Sequence, residues 1–178
     1  MHEKFRKLIE LGAGDFEQAD TQLIAHLEGT CCLLKAWNAP EELQLAGLYY
    51  VAYGTSVIND NMFDLSKRQE IAEVIGEKPE HIVYHYFACD KERFFAQFAQ
   101  VKHPIFYDRF TDKPSSISTE LFAQLCELFA AKEIDLAIYN HEYAAKHAKK
   151  LVALFSRMRD FLSSGAIRKI NYVFSAKV

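Results

Sequence analysis

No stretch of this 178-residue chain approaches the continuous apolar length of a membrane-spanning helix, ~18 residues. An excess of basic residues is also lacking. The formal net charge is -3, which gives no electrostatic footprint for nucleic acid. Four cysteines are present (Cys31, Cys32, Cys89 and Cys126), but none has C-x-x-C spacing. Adjacent helical residues do not face one another, so Cys31 and Cys32 are expected to be thiols on helix faces, not a redox pair. There is no internal repeat and no low-complexity tract. The opening His2-Glu3-Lys4 is followed by no apolar run of leader length, so a cytoplasmic location is expected.

Half of the residues are apolar and 25% are charged, the balance of an ordinary globular domain. The aromatic content, 14 Phe and 9 Tyr, can fill a core or line a pocket. The length suits a single domain over 1–178, with its core in 20–162 and a C-terminal tail in 163–178.

Apolar residues recur mostly at spacings of three and four, which predicts an all-α bundle. A short helix is expected over residues 2–10, followed by a polar link from Asp15 to Asp20. From about Thr21 to Trp37, Leu23, Leu27, Cys31 and Leu34 form a stripe that Asn38 and Pro40 end. A second helix restarts at Pro40-Glu41-Glu42 and runs toward Gly54. Gly29, Gly47 and Gly54 lie in this region, and each costs a helix interior about 1 kcal/mol against alanine. Their number suggests close approach of a backbone or a ligand, with helix termination as the second reading for Gly54.

Further along, Ser56 to Asn61 reads as turn chemistry or as a pocket rim. Ser66 to Gln69 has the pattern of a capping box, and its helix is expected to stop at Gly76. Pro79 and Asp90 mark the next two helices. His81 and His85 have i, i+4 spacing without the Glu of H-E-x-x-H, which favours a packed or solvated pair over a metal site. Residues 103–118 suit a short β-ribbon or an ordered loop.

Ser118 opens a long helix whose stripe of Leu121, Leu125 and Leu128 continues to Asp135. A carboxylate on that face needs a partner. Lys132 would serve if the stripe meets solvent there, and His26 if it lies in a pocket. A last long helix is expected over about Tyr143–Leu162 and to end at Gly165. Beyond it, Ile167 to Phe174 suits a terminal strand or a docked segment.

The run H-L-x-G-T from His26, then A-G-L-x-x-x-x-Y-G-T from Ala46, resembles an uncharacterised bacterial family of small helical domains. Tyr50 stands where that family carries histidine. The resemblance extends through Arg68, Cys89-Asp90 and Asp108-Arg109 to Asp135. A more distant likeness is to the HD superfamily of metal-dependent phosphohydrolases. It implies an HD-like bundle in which His26 matches the early histidine and Asp135 the late aspartate. Tyr50-Val51 stands where the central His-Asp pair would be.

The leading expectation from this resemblance is a metal-poor, degenerate relative that binds a small polar molecule. Its ligand residues would be His26, Thr30, Tyr50, Tyr53 and Asp135, with no cofactor. The alternative is a divalent-metal phosphohydrolase with a rearranged site of His26, Asp60, Asp90 and Asp135. A third reading is a structural or interaction module with a closed core. No nucleic-acid or membrane partner is expected, and nothing in the sequence fixes an oligomeric state.

Overall fold

The computed structural model describes residues 3–10, 21–53, 65–99 and 105–175. The expectations placed on 15–20, 56–61, Gly54 and Asp60 lie outside them. The described residues form an all-α fold with one small hairpin. The helices are α1 (Glu3–Glu10), α2 (Thr21–Ala36), α3 (Glu41–Tyr49), α4 (Arg68–Ile75), α5 (Glu77–Ala88), α6 (Lys91–Ala96), α7 (Thr119–Tyr139), α8 (His141–Met158) and α9 (Ser164–Phe174). Strands β1 (Ile105–Asp108) and β2 (Lys113–Ser116) pair antiparallel, with Ile105 opposite Ser116 and Asp108 opposite Lys113. No described helix is long and apolar enough to cross a membrane.

Helix α7 is the axis, and α2, α3, α5, α8 and α9 all pack on it. Its apolar residues do not keep to one stripe: Leu121, Phe122, Cys126, Leu128, Ala131 and Ile134 are all buried. A helix that is apolar on most sides belongs in the centre of a domain. Ser118 starts it by accepting a hydrogen bond from the Leu121 N–H at 3.0 Å. On one flank, rings from α6 and α7 interlock. Phe94 lies 4.6 Å from Phe122, and Phe95 lies 4.6 Å from Phe129, centroid to centroid.

Helices α2 and α3 form the wall that faces α7. Their link is tight: Asn38 takes a left-handed φ of 58°, and Pro40 precedes α3. Gly47 allows the two helices to close, since a Cβ there would stand 2.5 Å from Leu34 Cδ1. The hairpin is fastened to the end of α5. Arg109 N–H donates to the Ala88 carbonyl and Asp90 N–H to that of Tyr107, each at 2.9 Å.

Three local expectations are corrected. Helix α3 stops at Tyr49, and Tyr50 to Tyr53 form a turn in which all four residues are buried, so packing ends the helix before Gly54. Ser66 is not at the N-cap position of α4, which Lys67 occupies. It lies in a single 3-10 turn, Leu65–Lys67, and α4 begins at Arg68 without a side-chain cap. The tail is neither a strand nor a continuation past Leu162. Ser163 caps a new helix by accepting from the Ala166 N–H at 3.1 Å, and Ala166, Ile170 and Phe174 bury one face of α9. The segment is docked, and Gly165 lies near its start.

Candidate functional site

His26 projects from α2 and Asp135 from α7, and they meet. His26 Nδ1 lies 2.5 Å from Asp135 Oδ2. The Asp135 side chain is 4% exposed and that of His26 is 14% exposed, so water competes little for this bond. Lys132 is not the partner of Asp135; its ammonium bonds Glu133 at 2.8 Å. An ionised carboxylate can only accept, so Nδ1 carries the shared hydrogen. Asp135 therefore fixes both the ring orientation and the tautomer, the role a carboxylate plays behind many working histidines.

The contact depends on Gly29, one turn after His26. A Cβ at Gly29 would fall 2.1 Å from Asp135 Oδ1, so any side chain here would push the carboxylate away. The next residue, Thr30, is fully buried, with its hydroxyl donating to the His26 carbonyl at 2.9 Å. Thr30 thus braces the helix behind the histidine.

The other imidazole nitrogen, His26 Nε2, is buried and has no hydrogen-bond partner among the described residues. Leaving such a group unpaired costs about 1–3 kcal/mol. Tyr50 stands edge-on to the His26 ring, 6.1 Å between centroids, and packs in the same manner on Tyr86 at 5.6 Å. Burial raises the Tyr50 phenol well above its ordinary value, and the carboxylates of Asp135 and Glu133 add to the effect. Tyr50 therefore stays a neutral phenol at any physiological pH. The Tyr86 hydroxyl is a second buried group with no partner among the described residues.

Tyr53 belongs to a neighbouring network. Its hydroxyl donates to Glu80, a buried carboxylate that Arg68 grips with Nε at 2.8 Å and Nη2 at 3.0 Å. The Arg68 guanidinium lies over the Tyr84 ring, 3.7 Å from its centroid, and the Tyr84 hydroxyl donates to Asp108 at 2.8 Å. Burial, then the bond to Asp108, pushes the Tyr84 phenol up to about 12. A bidentate Arg–carboxylate pair with stacked aromatics has its hydrogen bonds well satisfied, which suits a structural clamp.

Of the five expected ligand residues, the structure thus brings His26, Asp135 and Tyr50 together, sets Thr30 behind them, and joins Tyr53 to the Glu80 clamp. For the metal alternative, Asp90 is occupied as the cap of α6, accepting from Arg93 N–H at 3.1 Å. No group of three His, Cys, Asp or Glu side chains converges as a metal-binding set among the described residues. His81 and His85 form a packed pair with ring centroids 4.2 Å apart, and His85 Nδ1 lies 2.7 Å from the His81 carbonyl.

The sequence reading missed Tyr86 and Lys91. Tyr86 sits in the apolar stripe of α5 and reads as core; its hydroxyl was the only hint of more. Lys91 follows the Asp90 cap and reads as an ordinary surface lysine.

Residues 7–91 match the family model described as a domain of unknown function (DUF6817). The matched segment holds His26, Tyr50, Tyr86 and Lys91, while Asp135 lies outside it. It agrees with the resemblance to an uncharacterised family and supplies no activity. No curated protein and no solved structure matches the chain.

Proposed function

We propose that this protein binds a small polar ligand through His26 Nε2, without a metal. The observation that carries the reading is that nitrogen: buried, held in place from behind by Asp135, and without a partner among the described residues. With Nδ1–H committed to Asp135, Nε2 of the neutral ring is an acceptor, so it takes a hydroxyl or amine hydrogen from the ligand. Tyr50 provides the aromatic wall beside it.

The donor set argues against the metal-dependent alternative. His26 offers one nitrogen, since Asp135 holds the other. At the positions of the expected His-Asp pair stand Tyr50, whose phenol burial keeps protonated, and Val51, which is 1% exposed and has no ligating atom. Holding a catalytic divalent ion takes several anionic or imidazole ligands and an open position for water. The likeness to HD proteins therefore bears, in this reading, on the helix arrangement and not on the chemistry.

The test is a thermal-shift screen of small hydroxylated and amino compounds against the protein and His26→Ala. A ligand at a hundredfold its Kd is expected to raise the Tm by roughly 5–10 °C, and only with His26 present. Stabilisers that act equally on the variant, or none at all, would overturn the reading.

A further inference from the structure

The neighbourhood of Tyr50 contains a second unsatisfied polar group, the Tyr86 hydroxyl, with the ammonium of Lys91 on the same ring. Tyr86, in α5, is 7% exposed, and its hydroxyl has no hydrogen-bond partner among the described residues. Lys91, the first residue of α6, places its ammonium over the Tyr86 ring, 4.8 Å from the centroid. The hydroxyl is carried by the same ring that the ammonium covers. Lys91 is half-buried and makes no ion pair among the described residues.

The charges around Lys91 do not balance it. Lys132, Glu133 and Arg109 are near enough to act on it. The one carboxylate among them, Glu133, already accepts from Lys132 at 2.8 Å and from the Tyr143 hydroxyl. Burial, then the Lys132 charge, lowers the Lys91 pKa, as expected of a cation without a counter-ion. Burial also raises the Tyr86 phenol, which keeps it a hydrogen-bond donor.

We propose that Lys91 and Tyr86 together hold the oxyanion of a small organic anion, a carboxylate or a phosphate, as one end of the ligand bound at His26. The inference rests on the reading of His26 given above. Tyr50 connects the two ends, since it packs on both His26 and Tyr86. An incoming oxyanion accepts from the ammonium and the phenol at once, which balances the charge and satisfies the buried hydroxyl. No covalent step is involved.

The probes are inorganic phosphate and acetate, titrated at constant ionic strength against chloride, with backbone amide NMR as the readout. Saturable shifts centred on Tyr86 and Lys91 are expected with at least one of the two, and which one responds identifies the anion. Tyr86→Phe keeps the ring and removes one hydrogen bond to a charged group, so it is expected to weaken the response roughly tenfold. His26→Ala is expected to retain the phosphate or acetate response while losing the stabilisers found in the thermal screen, so the two readings fail separately. Shifts confined to the exposed lysines of α8, no shift with either anion, or unchanged affinity in folded Tyr86→Phe would overturn the proposal.

Discussion

Gly29 and Asp135 occupy one space: a Cβ on the glycine would come within 2.1 Å of Asp135 Oδ1. The missing side chain on α2 is what lets the carboxylate of α7 lie 2.5 Å from His26. Gly29→Ala therefore sets two effects against each other. Helix propensity favours alanine by about 1 kcal/mol, while overpacking costs about 1–3 kcal/mol. The clash is with a short side chain anchored at its far end, so net destabilisation is expected in urea unfolding. In an Asp135→Ala background the clash is absent, and the same substitution should become neutral or stabilising. Additivity across this double-mutant cycle would contradict the contact.

The two halves of the pair should differ in what their loss does. His26→Ala strands a buried carboxylate and is expected to cost about 3–5 kcal/mol. Asp135→Asn keeps an oxygen that can accept from Nδ1–H and should cost clearly less. Equal costs, measured by chemical denaturation, would show that Asp135 is not held by His26.

Glu127 gives a pH dependence of known sign. Its carboxylate accepts from Ser163 N–H at 3.0 Å and from the Ser163 hydroxyl at 2.5 Å, joining α7 to the start of α9. Burial raises its pKa, against the lowering effect of the Ser163 bonds. The folded state thus holds this proton more tightly than the unfolded chain. The associated stability is complete below the ordinary glutamate value, about 4.3, and is lost as pH rises through the raised value. Glu127→Gln lacks this loss, so its stability relative to the unmodified protein should increase as pH rises from about 4.3 through that window. A difference that stays flat or falls would contradict the burial effect.

Much of this arrangement was legible in the sequence. Gly29 and Gly47 were costly residues in helical surroundings, and both prove to be points of close approach. Asp135 stood out as a carboxylate on an apolar stripe, which requires a partner, although sequence could not choose between Lys132 and His26. The tail was ambiguous because Ile167 to Phe174 fits two periods. What decides is tertiary: Ser163 caps α9, and Gly165 lets it sit against Trp37, whose Cα would be 3.0 Å from an added Cβ. The Glu80–Arg68 clamp was hidden because its members, with Tyr53, lie on three separate segments that only the folded chain brings together.

Metal binding offers a direct comparison. Protein purified without added metal is expected to hold no stoichiometric transition metal and to hydrolyse no nucleotide with manganese. Tyr50→His restores one imidazole while Val51 still supplies no carboxylate, so it should gain at most weak binding by calorimetry. Tight binding or turnover by the unmodified protein that disappears in His26→Ala would establish the metal-dependent alternative.

The orientation of the His26 ring is the point on which the ligand reading turns, and side-chain nitrogen NMR reports it. In the neutral ring, the long-range proton–nitrogen spectrum should show a protonated Nδ1 and a bare Nε2. This tautomer preference should weaken in Asp135→Ala, and the Nε2 resonance should be the one that moves when a stabilising compound is added. A ring protonated at Nε2, or an Nε2 signal indifferent to every compound that stabilises the protein, would contradict the account.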